Sequence, residues 1–181
     1  MIKKIFSILL LGLVVLLPGC LQFNTVSYDV NINDDGTGTV NVFIRDIRSD
    51  ADSVSQFEQD KANLFNYMLK GDDFINSMKK EGKDITSRKL IKNGDTLDAE
   101  VVYSFDKISA VENIMRDKDF YYLTLQPTDS VVSTNGEVIV TPEHKRILWD
   151  SKMKNLKFEM FSQSFENGSF RPMALYYNND N

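Results

Sequence analysis

Alternation of apolar and polar residues is the strongest pattern in this chain. It occurs on both sides of an Asn-Asp-Asp-Gly-Thr-Gly turn, with the apolar positions at Val26, Tyr28, Val30 and Ile32 before the turn and at Val40, Val42 and Ile44 after it. Such a period of two indicates half-buried β-strands. We therefore predict a β-hairpin over 26–44, with Gly36 in the turn at positive φ.

Helical spacing replaces this alternation between residues 49 and 82. The first predicted helix would be capped by Ser49, Asp50 or Asp52, and its apolar face would consist of Val54, Phe57, Leu64, Phe65 and Met68. A second, short helix would be capped at Asp72-Asp73 and end at Gly82. Ile108, Val111, Ile114 and Met115 predict a third helix that starts at Asp106 or Ser109.

Two Asn-Gly pairs predict further hairpins. The pair at 93–94 would join a strand over 85–91 to one over 97–105, and the pair at 135–136 would join 131–132 to 138–140. Strands are also expected over 120–125, 156–160 and 173–177. Because hairpins dominate and helices fall between them, we predict an α+β fold: an antiparallel sheet of hairpins with two or three helices packed on one face.

The first twenty residues follow a different pattern. Lys3 and Lys4 precede an apolar run over 5–17, which suits the central region of a signal peptide and is short for a membrane span. The run leads into Leu17-Pro18-Gly19-Cys20, which resembles the lipobox of bacterial lipoproteins. An ordinary secretory signal with an incidental cysteine and a short membrane anchor are the alternatives.

The lipobox resemblance implies a lipid anchor. It implies that the Cys20 thiol receives a diacylglycerol, that cleavage falls between Gly19 and Cys20, and that the new amine can then be acylated. Two or more acyl chains hold a protein stably at a bilayer, whereas one does so only marginally. Leu21 follows the cysteine where an Asp often signals inner-membrane retention, so an outer-membrane location is expected if the bacterium is Gram-negative.

These boundaries divide the chain into four parts. We expect a lipoprotein signal peptide at 1–19, a lipidated N-terminus and short tether at 20–25, a single α+β domain at 26–177 and a disordered tail at 178–181. The net charge is −5, and cleavage removes two lysines and no acid, which leaves −7 on the mature chain. That charge argues against nucleic acid as a partner and against peripheral docking on anionic lipid through a basic patch.

The order of elements adds a second resemblance. The elements follow one another in this order: a lipobox, an alternating hairpin with a DDGTGT turn, an amphipathic helix, the hairpin at 93–94 and a strand ending in Tyr103-Ser104-Phe105. Over roughly 20–115 this plan is similar to that of LppM-type envelope lipoproteins of bacteria. The resemblance implies an envelope domain that contacts lipid or other envelope components, and it supplies no catalytic residues.

Residues with possible chemistry have simpler structural interpretations. The turn from Asn31 to Gly36 partly matches a calcium loop but lacks the late glutamate ligand, since Val42 stands there. His144 is the only histidine, and no nucleophile motif accompanies it. The acidic pairs at 34–35 and 72–73 fit turn and capping chemistry. The aromatic clusters at 120–122 and 176–177 fit sheet packing better than a ligand groove.

These patterns favour a non-enzymatic protein. We expect no catalytic, cofactor or metal residues, and Cys20 is the one predicted modification site. The expected partners are the membrane, through the lipid anchor, and either a lipid or another envelope protein. The alternative is an envelope hydrolase that uses carboxylates, for which no pair stands out in the sequence.

Overall fold

The computed structural model describes residues 21–161, 165 and 170–178. In this part of the chain the strands are β1 (Leu21–Gln22), β2 (Thr25–Ile32), β3 (Gly38–Arg45), β4 (Arg48–Ser49), β5 (Asp84–Asn93), β6 (Thr96–Phe105), β7 (Met115–Arg116), β8 (Phe120–Leu125), β9 (Val131–Thr134), β10 (Glu137–Val140), β11 (Lys145–Asp150), β12 (Asn155–Met160) and β13 (Arg171–Pro172). The helices are α1 (Val54–Lys61), which continues as a π-helix over Ala62–Met68, and α2 (Asp72–Lys80). Single 3₁₀ turns lie at Ile108–Ala110 and Met173–Tyr176.

The strands of the described residues form antiparallel sheets, and strand outweighs helix. A six-stranded sheet has the order β5-β6-β3-β2-β12-β9, a four-stranded sheet the order β10-β11-β8-β7, and a three-stranded sheet the order β1-β4-β13. The predicted antiparallel, mixed α and β class is confirmed at this level. The strands are, however, divided among several sheets and do not form one.

Alternation builds the core as predicted. Along β2 and β3 the apolar positions face inward and form rows across the six-stranded sheet, such as Phe158, Tyr28, Val42 and Val101. Both predicted turns contain a glycine at positive φ, with φ 86° at Gly36 and 59° at Gly94. The hairpins at 26–44 and 93–94 are thus confirmed.

The two helices agree with the sequence, but neither has its predicted cap: Gly71 is the N-cap of α2, and Asp72 and Asp73 lie in the first turn of that helix. Ser53 caps α1 by accepting a hydrogen bond from the Gln56 amide, so the predicted caps Ser49, Asp50 and Asp52 were wrong. Ser49 is instead buried in β4, where its hydroxyl donates to Asp60 at 2.6 Å. Gly82 follows α2 at φ 81°, which confirms the predicted end of that helix.

The hairpin predicted over 131–140 was wrong. β9 pairs with β12 in the six-stranded sheet, whereas β10 pairs with β11 in the four-stranded sheet. The Asn135-Gly136 pair therefore carries the chain from one sheet to the other. Asn135 is held by both sheets, since its side-chain oxygen accepts from the Trp149 indole at 2.9 Å and from the Lys157 amide at 2.8 Å.

The helix predicted after residue 106 was also wrong. A single 3₁₀ turn at Ile108–Ala110 is followed by Glu112 at φ 48° and Asn113 at φ 57°, a conformation that breaks any helix. Val111 and Ile114 are fully buried on either side of this break. Val111 and Ile114 have the spacing of a helix, but they are two separate positions at which a loop is buried in the core.

The C-terminal prediction needs a similar correction. The expected strand over 173–177 is a 3₁₀ turn that buries Met173 and Ala174, and the short strand β13 lies just before it. Within the expected tail at 178–181, residues 179–181 lie outside the described residues.

Candidate functional site

Cys20, the predicted lipidation site, lies outside the described residues, but the next residue is part of the fold. Leu21 pairs with Ser49 and Ser49 pairs with Arg171, so the three residues form one row across β1, β4 and β13. The Gln22 side chain also donates to Asp50 at 3.0 Å. The described part of the expected tether at 20–25 is therefore not free chain. A lipid on Cys20 would emerge directly at the edge of this small sheet.

A buried polar cluster, which the sequence did not reveal, lies on the inner face of the six-stranded sheet. Lys83 and Glu112 are 4% and 8% exposed, and their charged groups lie 3.7 Å apart. Glu81 approaches the same ammonium at 3.7 Å. Tyr28 hydrogen-bonds to Glu112, and the buried Tyr103 lies near both.

Burial dominates the electrostatics of this cluster. It raises the pKa of Glu112, while the Lys83 charge and the hydrogen bond from Tyr28 act in the opposite direction. Burial, aided by the negative charge of Glu112, also raises the pKa of Tyr28 and of Tyr103 well above the ordinary value. The two phenols therefore stay protonated and can donate hydrogen bonds.

The contacts of this cluster tie three segments together. Glu112, in its strained left-handed conformation, connects the loop after β6 to Lys83 before β5 and to Tyr28 on β2. The Tyr103 hydroxyl is buried and has no hydrogen-bond partner among the described residues. The burial of Glu112 was not predicted, because this residue was expected on the polar face of a helix. The burial of Lys83 was not predicted either, because no pattern in the neighbouring sequence indicates it.

The turn that partly resembles a calcium loop is closed by its own side chains. Asp35 accepts hydrogen bonds from the hydroxyl and the amide of Thr37, and these bonds lower the pKa of Asp35. Asn33 donates to the same hydroxyl at 2.9 Å. Among the described residues, no group of three or more His, Cys, Asp or Glu is placed to hold a metal ion.

His144 lies in the turn between β10 and β11. Its ring Nδ1 is 3.3 Å from the Thr141 hydroxyl, which also accepts from the His144 amide. The described contacts of the imidazole are thus those of a turn residue.

The aromatic cluster of β8 alternates across its sheet, as the sequence predicted. Tyr121 is buried, Phe120 is exposed, and Tyr122 is half-buried beneath the Arg146 guanidinium at 5.3 Å. In the second cluster, Tyr177 stacks on Phe65 at 5.9 Å.

A small apolar cavity of about 40 Å³ lies between the helices and the β5–β6 edge of the sheet. Leu64, Met68 and Phe74 line it from the helical side, and Ala99 and Val101 line it from the strands. Ligand pockets usually hold at least about 300 Å³. This cavity is therefore too small for an acyl chain.

Comparison with protein-family models, curated proteins and solved structures gives no match. Neither helix of the described chain is long and apolar enough to cross a membrane.

Proposed function

We propose that this protein is a cell-envelope lipoprotein, held to the membrane by a lipid on Cys20, whose domain is a non-enzymatic binding or structural module. The signal-like N-terminus and the lipobox-like sequence Leu17-Pro18-Gly19-Cys20 carry the proposal. A cleaved, acylated chain would begin at Cys20, and the residue that follows it, Leu21, pairs with Ser49 in the three-stranded sheet.

The module faces the periplasm or the cell exterior under this proposal. In a Gram-negative cell, Leu21 after the cysteine favours the outer membrane. Under this proposal the module binds a lipid or another envelope protein. The small cavity between the helices and the sheet is not the place where a lipid would be taken up.

We also infer that the helices form a layer over one face of the six-stranded sheet. Support comes from Arg88 of β5, whose guanidinium donates to the carbonyls of Met68 and Gly71 at 2.7 and 3.0 Å. The small cavity, lined by both helical and strand residues, supports the same arrangement.

The contacts of Glu81 and Glu112 do not suit the carboxylate pair of a hydrolase. The carboxylates of Glu81 and Glu112 converge on one point, but that point is the ammonium of Lys83. A two-carboxylate hydrolase needs its pair to flank a bond of the substrate. Here a buried cation occupies the position between them.

Lipidation is tested with Cys20→Ala and, as a control, Ser55→Ala, which changes an exposed residue of α1. The wild type and the control should incorporate an alkyne fatty acid and sediment with membranes. Cys20→Ala should lose the label and accumulate as an uncleaved precursor or a soluble chain. Equal label and equal sedimentation of Cys20→Ala and wild type would refute the proposal.

A further inference from the structure

The anchor fixes which side of the domain meets the membrane. One residue spans at most about 3.6 Å of chain, so Cys20 lies within a few ångströms of β1. The acyl chains of a lipidated Cys20 must lie in the bilayer. The described residues around β1 are therefore held at the level of the lipid headgroups if Cys20 carries a lipid.

The paired residues across the three-stranded sheet show which other side chains lie near the anchor. Leu21, Ser49 and Arg171 are paired in register, and neighbouring strands lie about 4.8 Å apart, which places Arg171 roughly 10 Å from Leu21. The Arg171 guanidinium lies over the Phe57 ring at 5.2 Å. Phe57 in turn meets the ring of Tyr176 edge-on at 4.9 Å.

Two large apolar side chains are exposed in the 3₁₀ turn that contains Tyr176. Leu175 is 61% exposed and Tyr176 is 47% exposed. They belong to the same 3₁₀ turn as Met173 and Ala174, which are completely buried and fix the turn to the core. Leu175 and Tyr176 are thus presented outward by a rigid support.

The chemistry around these side chains suits a lipid interface. Tyrosine is enriched at headgroup depth because its ring is apolar and its hydroxyl is polar. Lys61 lies over the Tyr176 ring at 5.0 Å, and Arg171 lies over Phe57. Lys61 also pairs with Glu58 at 2.8 Å, whereas Arg171 forms no ion pair with a described residue and is the more available of the two cations for an anionic headgroup.

We propose that this surface, the anchor-side patch of Lys61, Arg171, Leu175 and Tyr176, docks onto the bilayer that holds the lipidated Cys20. The proposal rests on the proposed lipidation of Cys20. The domain then lies against the membrane in one orientation. Its β2–β3 turn is separated from β1 by the length of β2, whose eight residues span about 25 Å.

Thiol accessibility tests this orientation. The mature chain has no cysteine other than Cys20, so Leu175→Cys and Asp34→Cys each introduce one reactive thiol. Asp34 lies in the β2–β3 turn and has a fully exposed side chain, which makes it the distant control. Each purified, lipidated variant is placed in vesicles of phosphatidylethanolamine and phosphatidylglycerol. A membrane-impermeant maleimide is then added, and the same reaction is run in detergent.

The expected result is a labelling rate at Leu175→Cys that is several-fold lower in vesicles than in detergent, with no such difference at Asp34→Cys. Equal rates at Leu175→Cys in vesicles and detergent would overturn the docking proposal. Protection in whole cells but not in protein-free vesicles would also overturn it, and would assign the patch to an envelope protein. Loss of vesicle binding by the lipidation-site variant Cys20→Ala, measured separately, keeps the two proposals distinguishable.

Discussion

The indole nitrogen of Trp149 donates a hydrogen bond to the side-chain oxygen of Asn135 at 2.9 Å, across the junction between the two larger sheets. Trp149 is 1% exposed, and its ring lies 5.8 Å from the Phe158 ring of the six-stranded sheet. The Asn135 side chain also accepts a hydrogen bond from the Lys157 amide and donates one to the Asn155 carbonyl. One amide side chain therefore fixes where the chain changes from one sheet to the other.

Replacing Asn135 should weaken this junction. Asn135→Ala removes the acceptor of a buried indole and of a backbone amide, which we expect to lower the free energy of unfolding by about 1–3 kcal/mol. Urea unfolding followed by circular dichroism measures the loss. The control is Asn41→Ala, an exposed position on β3, where little change is expected. Similar unfolding midpoints for the two variants would contradict a special role of Asn135.

Replacing the two buried tyrosines of the polar cluster by phenylalanine should have different effects on stability. Tyr28→Phe removes the hydroxyl that bonds to Glu112 and should destabilise the fold by about 1–2 kcal/mol. Tyr103→Phe removes a buried hydroxyl that has no partner among the described residues, so it should be neutral or slightly stabilising. Unfolding free energies of both variants test this difference. A larger loss for Tyr103→Phe would reveal a hydrogen bond that the described contacts do not contain.

Removing only one partner of the buried ion pair should lower the stability more than removing both. Lys83→Met leaves Glu112 buried without its cation, and the expected loss is about 3 kcal/mol or more. The double variant Lys83→Met/Glu112→Gln removes the charge as well and should recover much of that loss. Additive effects of Lys83→Met and Glu112→Gln, measured in a double-mutant cycle, would show that the two groups do not interact.

Features set by neighbouring residues could be predicted from the sequence. The hairpin over 26–44 depends on alternation and on a glycine that tolerates positive φ, and both lie within the segment itself. The same local signal failed at Asn135-Gly136, because the partners of Asn135 lie 14 and 22 positions away. An Asn-Gly pair is equally suited to a tight hairpin and to a crossing between sheets.

The polar cluster was beyond prediction for a related reason. Lys83 and Glu112 are both charged residues that are almost never buried alone, and each becomes acceptable in the core only because the other is there. The left-handed conformation at Glu112 and Asn113 also removed the predicted helix. Local spacing could not reveal this, since Val111 and Ile114 are buried in the loop just as they would be in a helix.

Glu112 should give the stability of this protein a recognisable pH dependence. Its pKa in the folded state is raised above the ordinary value of 4.5 by burial, so the folded state holds this proton more tightly than the unfolded chain does. The stability contributed by protonated Glu112 is fully present below the unfolded pKa and is lost as the pH rises through the folded pKa. Removing the carboxylate with Glu112→Gln removes this dependence.

The difference in unfolding free energy, wild type minus Glu112→Gln, is therefore expected to be greatest in acid and to fall as the pH rises towards neutrality. Urea titrations at a series of pH values measure it, with Glu143→Gln, an exposed carboxylate in the turn before His144, as the control for the loss of one negative charge. A difference that rises with pH would mean that Lys83 outweighs burial and holds Glu112 ionised. Because Lys83, Glu81, Tyr28 and Tyr103 all face this carboxylate, the sign of the slope decides which influence is the stronger.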